Sequence, residues 1–410
     1  MNINEENILM PIELAGIKFR NPFCVSSGPA SKLVDQLIKA QKCGWAGASI
    51  KLTFDPAPYI NLKPRYRWYP DINLFSFSAE TRLNIEEGLK LIEQGRKKTR
   101  DFILFANISY SGDKGLYGWG NMAKRFESAG AHIIELNLCC PNMSYNVEVT
   151  GKVKEGGPLS GASLGKDEIV SIVKAVKKSV SIPVFVKLTS EGGREDRKAK
   201  ASFEAGADGV CGGGGSLGIS PININNPKCS VYNLQKEPSI ACLTGLWAKP
   251  IALRNVYAIR KMVGKKPVII GAGGVSTFQD AVEMSMAGAD LIGICTAILI
   301  NDFDFLKPLI KKLKTYLNKM GYKSLKDVRD ILVENITPNS NLTIEEGVAV
   351  VNKYKCIGCG RCLKIGHCNA IKLVDNKAYI DTDKCLGCGI CSFLCPQRAI
   401  EMNQINKNIF

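Results

Sequence analysis

The sequence predicts an α/β protein: a (β/α)8 TIM barrel followed by a small cysteine-rich α+β domain. Three observations predict it. Eight short apolar runs alternate with amphipathic segments as far as Thr296. The first run lacks the G-x-G-x-x-G turn that opens a doubly wound dinucleotide sheet, leaving that fold as the alternative. Past residue 345 the composition shifts abruptly to cysteine.

The apolar runs lie at 23–27, 47–53, 102–108, 132–138, 183–189, 207–212, 267–271 and 290–296. Each is too short for a helix and long enough for a buried strand. Helical periodicity falls at 31–42, 119–128, 166–180, 194–205, 250–263, 277–287 and 305–320. Parallel neighbours need a covering crossover, and eight such units close into a barrel whose chemistry sits at the C-terminal strand ends. Two insertions interrupt the rhythm. Residues 54–80 are rich in Pro and Tyr; residues 143–165 are rich in Gly and read as a lid or a plain surface loop. A further helix is expected over 324–336, then a linker at 337–341. The expected organisation is a barrel over 1–322, helix and linker over 323–345 and the cysteine domain over 346–410.

With 410 residues, 45% of them hydrophobic, the chain can bury a full core. It contains no run of about 18 apolar residues, so no membrane span is expected and the protein reads as cytoplasmic. A net charge of +16 raises nucleic acid as a partner. The basic residues are spread along the chain among acids, however, and no nucleic-acid motif accompanies them. A solvated basic surface, or docking of an acidic redox partner, is the reading they support.

Sixteen cysteines in a cytoplasmic chain point to metal or redox work rather than disulfides. Cys356, Cys359 and Cys362 form C-x2-C-x2-C, followed by Cys368. Cys385, Cys388, Cys391 and Cys395-Pro396 form C-x2-C-x2-C-x3-C-P. Such triplets wrap three irons of a [4Fe–4S] cubane and leave the fourth iron to the other motif. Cys356, Cys359, Cys362 and Cys395 are therefore assigned to one cluster, and Cys385, Cys388, Cys391 and Cys368 to the second. Zinc, the competitor, favours paired rather than triple spacing. Clusters carry single electrons, so the barrel needs a converter to hydride, and flavin is one.

Gly271 to Thr277 and Gly293 to Ala297 follow the seventh and eighth runs, where backbone N–H groups of a barrel commonly cradle phosphate. Lys51 and Lys187 sit among apolar strand neighbours, which suggests an anionic ligand or barrel ion pairs. FMN fits a phosphate loop without a dinucleotide fingerprint. Where the run 132–138 ends, Asn137 and Cys140 could offer an amide and a thiol proton to a small polar substrate. On its own, that cysteine could equally be a core residue.

Asn21-Pro22-Phe23, Ile50-Lys51, Asn137-Leu138-Cys139-Cys140-Pro141, Val186-Lys187-Leu188-Thr189, Lys249-Pro250-Ile251-Ala252-Leu253-Arg254 and Gly273-Gly274-Val275, followed by the two cysteine motifs, resemble the flavin half of the dihydropyrimidine dehydrogenases. The barrel alone is similar to class 1 dihydroorotate dehydrogenases. The resemblance implies FMN, with Lys51 and Lys187 by the ring and Ser26, Ser27 and Gly28 along its edge. Gly245, Gly273, Gly274, Thr296 and Ala297 would surround the phosphate. Cys140 matches the catalytic cysteine, and Lys187 is placed with it in catalysis. The thiol would protonate one carbon of an activated C=C while FMN gives hydride to the other. Cys139 is expected to face away.

Departures from the resemblance concern the substrate. Glu80 and Asn137 match the pyrimidine-binding pattern. Ser78 stands where it has an asparagine, and Gly214-Gly215 where it has Asn-Thr. Each amide partner lost would leave a pyrimidine group unpaired at about 1–3 kcal/mol. The expected reaction is reduction of the C5=C6 bond of uracil, thymine or a relative. The alternatives are another conjugated acid, amide or enone, or an electron-transfer subunit without turnover. No nicotinamide fingerprint is present, so an electron-donor flavoprotein subunit or a ferredoxin is the expected partner, in an oligomer.

Overall fold

The computed structural model describes residues 10–56, 61–139, 165–189 and 194–404. The chain forms two compact units, Met1–Ile336 and Thr337–Phe410. The expected lid at 143–165 lies outside the described residues except for Gly165.

The eight apolar runs become eight parallel strands: β1 (Phe23–Val25), β2 (Gly47–Ser49), β3 (Ile103–Tyr110), β4 (Ile133–Leu138), β5 (Val184–Leu188), β6 (Gly209–Gly213), β7 (Val268–Ala272) and β8 (Leu291–Ile294). Each pairs with the next, and β8 pairs back to β1, so the sheet closes. Eight helices cover it: α1 (Val34–Lys42), α2 (Ile85–Lys98), α3 (Gly115–Ser128), α4 (Lys166–Ser179), α5 (Glu195–Glu204), α6 (Lys249–Val263), α7 (Phe278–Met286) and α8 (Leu306–Lys319). The sequence reading did not name α2. Its signal was a capping box: Asn84 accepts from the Glu87 N–H at 2.9 Å while Glu87 accepts from the Asn84 N–H.

Alternation along the strands sorts the side chains. Leu104, Ala106, Ile134, Leu136, Val186 and Ile269 pack outward beneath the helices. Cys24, Ile103, Phe105, Ile133, Phe185, Val268 and Leu291 fill the barrel. Phe105 and Phe185 meet edge to face at 6.0 Å, and Phe19 reaches Phe105 from an N-terminal hairpin that plugs one end. Further along the same inward rows come Ser49, Asn107 and Glu135, then Lys51, Asn137 and Lys187. The interior changes from apolar to charged toward the C-terminal mouth.

Residues 54–80 supply two strands, Arg65–Tyr69 and Leu74–Ala79. They join Ala241–Gly245 and Ser216–Gly218 in an antiparallel four-stranded sheet. The expected helix at 324–336 is two short ones, Leu325–Val328 and Ile331–Asn335. The break falls at Asp330, which takes φ +72°. From there its carboxylate lies 3.3 Å from Arg260, itself 2.7 Å from Asp290, in a buried ion network. Among the described residues, no helix is long and apolar enough to cross a membrane.

Candidate active site

A cavity of about 330 Å3 opens at the C-terminal strand ends, roofed by the antiparallel sheet. At one end, the chain leaving β7 passes through Gly273 (φ +119°) and Gly274 (φ +72°), a conformation that excludes most side chains. A Cβ on Gly274 would lie 2.6 Å from the Lys249 Cβ, and one on Gly273 would lie 2.9 Å from that of Ala252. Gly245 (φ +113°), Thr296 and Ala297 close this end, with Thr296 Oγ1 donating to Thr244 Oγ1 at 3.0 Å. The glycines let this turn pack against the start of α6 and leave bare backbone lining the cavity, which suits a phosphate.

The other end is polar and buried. Lys51 Nζ lies 2.7 Å from Glu80, and burial holds the ammonium below its ordinary value against the pull of that carboxylate. Glu80 also accepts from the Tyr66 hydroxyl and, at 3.0 Å, from the Thr81 N–H. Burial and the same carboxylate push the Tyr66 hydroxyl up. Lys187 would be pushed down by burial, but Cys139 and Glu135 hold it above its ordinary value. A hydrogen-bonded row runs beneath. Ser49 and Asn107 donate to Glu135, Asn137 donates to Asn107 Oδ1 at 2.9 Å, and the Cys139 N–H donates to Asn137 Oδ1 at 3.1 Å. Asn137 is thereby fixed at the cavity wall.

Most of the expected residues meet here: Ser26, Ser27, Gly28, Lys51, Glu80, Asn137, Lys187, Gly214, Gly215, Gly245, Gly273, Gly274, Thr296 and Ala297 all line the cavity. Cys140 lies outside the described residues. Two expectations need correction. Cys139 lines the cavity instead of facing away, because β4 ends at Leu138 and its alternation ends with it. Ser78 is absent from the wall. Strand pleating turns Phe75 and Phe77 into the cavity and Ser76 and Ser78 to the opposite face, where Ser78 Oγ donates to Gln235 at 2.5 Å. The pairing strand does the same with Tyr66 and Trp68, leaving Arg67 to bond the Val231 carbonyl at 2.7 Å. The sequence reading missed this aromatic wall, although the i, i+2 spacing of Tyr66/Trp68 and of Phe75/Phe77 was its signal. It also missed the buried Glu135.

In the C-terminal unit, Cys356, Cys359, Cys362 and Cys395 ring one small hollow of about 20 Å3. The Ala378 N–H points at the Cys356 sulfur (3.4 Å), the Ala399 N–H at Cys395 (3.2 Å) and the Ala349 N–H at Cys385 (3.4 Å). Cys385, Cys388 and Cys391 lie within electrostatic reach of one another, and Cys368 packs against the same small core. Among the described residues, no three such groups converge tightly enough for a single metal ion. Thiols spread around a hollow, with amide N–H groups aimed at the sulfurs, fit a cluster.

A closed parallel barrel with a glycine-lined cavity and buried cations at its mouth, joined to a cysteine-rich unit, has the parts of a cofactor-dependent oxidoreductase. The chain belongs to the dihydroorotate dehydrogenase family, whose profile matches residues 9–317, and a 4Fe-4S dicluster domain matches residues 349–402. The NAD-dependent dihydropyrimidine dehydrogenase subunit PreA of Escherichia coli K12 is 28% identical over 361 residues, covering 86% of this chain and 84% of the relative. The catalytic subunit of Thermoanaerobacter pseudethanolicus dihydroorotate dehydrogenase B is 30% identical over 326 residues, 79% and 97% of the two chains. The chloroplastic dihydropyrimidine dehydrogenase (NADP(+)) of Arabidopsis thaliana is 23% identical over 372 residues, 83% and 81%.

Proposed function

We propose that the protein is a cytoplasmic reductase of an activated C=C bond, with the C5=C6 bond of uracil, thymine or a related pyrimidine as the first substrate class. One observation carries the reading: the glycine turn after β7, Lys51, Lys187 and the end of β4 all line one cavity. FMN bound there would supply hydride to carbon and take up electrons singly. Gly245, Gly273, Gly274, Thr296 and Ala297 would hold its phosphate, and Ser26, Ser27, Gly28, Lys51 and Lys187 its ring. Cys140, next after Cys139, would give its thiol proton to one alkene carbon. Asn137, anchored by Asn107, orients the substrate carbonyl. Lys187 stays charged and stabilises the negative charge that develops. The eight C-terminal cysteines would hold two [4Fe–4S] clusters, which would supply one-electron transfer from a partner flavoprotein subunit or a ferredoxin. Relatives named dihydropyrimidine dehydrogenase support the substrate class.

The test is anaerobic mixing of the holoprotein with dihydrouracil. Bleaching of the flavin, lost in Cys140→Ala, is expected. Flavin that responds to no dihydropyrimidine, or a variant that keeps full turnover as an electron conduit would, overturns the reading.

A second reading changes the substrate to a conjugated acid, amide or enone with an apolar substituent. It is favoured by the wall of Tyr66, Trp68, Phe75 and Phe77 and by the lack of side-chain amides at Gly214 and Gly215. Faster flavin reoxidation by an aryl-substituted enoate than by uracil would select it.

A further inference from the structure

The C-terminal unit is an internal repeat whose halves lie 29 positions apart: Ala349 matches Ala378, Asn352 matches Asp381, Cys356 matches Cys385 and Ala370 matches Ala399. The backbone keeps the symmetry. The Ala378 N–H bonds the Cys356 sulfur and the Ala349 N–H bonds the Cys385 sulfur, both at 3.4 Å. The Asn352 N–H reaches the Ala399 carbonyl and the Asp381 N–H the Ala370 carbonyl, both at 2.7 Å.

The charges break it. Lys377, half-buried, donates from Nζ to the Cys356 carbonyl, and its counterpart is Val348. Arg361, on the wall of the hollow ringed by Cys356, Cys359, Cys362 and Cys395, corresponds to Ile390. The one cation shared by both loops, Lys355 and Lys384, is offset in the second, where Lys384 lies 3.2 Å from Asp381. Adding an electron makes a cluster more negative, so nearby positive charge favours the reduced form and raises the potential.

We propose that the two cluster sites are unequal. The one built on Cys356, Cys359, Cys362 and Cys395 has the higher reduction potential and is where a single electron rests, with Lys377 as the positioning residue that contributes most to the gap. Its side chain is half-buried, whereas that of Arg361 is exposed and more strongly screened by solvent. This rests on the reading that both cysteine sets hold [4Fe–4S] clusters.

The test is an EPR-monitored redox titration of the full-length holoprotein under anaerobic conditions. Two one-electron steps are expected. Lys377→Val should lower the upper step, with about a tenfold smaller reduced fraction at its original midpoint. Lys377→Arg should leave it in place, and Val348→Lys should raise the lower step. Coincident steps in the native protein, or a Lys377→Val variant that moves the lower step or neither, overturn the assignment. An iron and sulfide content below two clusters would instead sink the cluster reading, and the assignment with it.

Discussion

Lys51 Nζ lies 2.7 Å from the Glu80 carboxylate, with the two side chains only 6% and 8% exposed. Lys51 follows barrel strand β2, and Glu80 follows the second roof strand, so this pair pins roof to barrel at the cavity. Truncating one partner strands the other charge away from water. Glu80→Ala is expected to lower unfolding stability by about 3 kcal/mol. The double change Lys51→Met/Glu80→Leu should recover most of that loss while flavin retention stays poor. A denaturant midpoint for Glu80→Ala equal to the native one would refute the role given to this pair.

Glu195 presents a second buried carboxylate, 3% exposed, which burial pushes up to about 7. Its Oε1 accepts from Asn255 at 2.7 Å, and among the described residues its Oε2 has no partner. The folded state therefore binds this proton more tightly than the unfolded chain, whose carboxyl titrates near 4.5. Its contribution to stability is full below that pH, falls as pH rises, and is lost above about 7. Glu195→Gln, which keeps an acceptor for Asn255, is expected to flatten that decline and to gain about 3 kcal/mol at pH 8. Urea unfolding at pH 5 and pH 8 measures it; an equal effect at both pH values would rule it out.

The barrel was legible because buried parallel strands are short apolar runs, and all eight stood clear of their helices. The cysteine motifs were legible because cluster ligation fixes their spacing. What escaped the sequence reading depended on tertiary direction. Ser78 looked like a substrate ligand by position, but pleating aims it at Gln235. Cys139 follows the last paired residue of β4, so alternation no longer governs it. Asp330 broke an amphipathic pattern because reaching Arg260 required a left-handed backbone. The aromatic wall was hidden in an insertion whose partner strand comes from residues 241–245, far along the chain.

Ser78→Ala is accordingly expected to leave KM and kcat within about twofold of the native values, since it touches the outer face of the roof. Phe77→Ala, on the inner face, should raise KM about tenfold or more by removing apolar surface from the cavity wall. Steady-state kinetics on the two variants separates the faces. A larger effect from Ser78→Ala than from Phe77→Ala would mean that the pleat is reversed.

Gly274 is the sharpest test of the phosphate cradle. Its φ of +72° strains any L side chain, and an added Cβ would meet Lys249 N, Cα and Cβ at 2.6–2.9 Å. Lys249 has little freedom to withdraw, because its Nζ is held 2.7 Å from both Asp280 and Glu283 and its backbone begins α6. Gly274→Ala should therefore push the cradle open and weaken FMN binding by tenfold or more, read by flavin fluorescence titration of the apoprotein. Gly264 is the matched control: its φ is +78°, yet nothing lies within 4 Å of an added Cβ. Gly264→Ala should carry only the backbone strain, about 1 kcal/mol of stability, with flavin affinity unchanged. If both variants lost flavin equally, strain rather than the cradle's shape would be the cause, and the phosphate would have to be sought elsewhere.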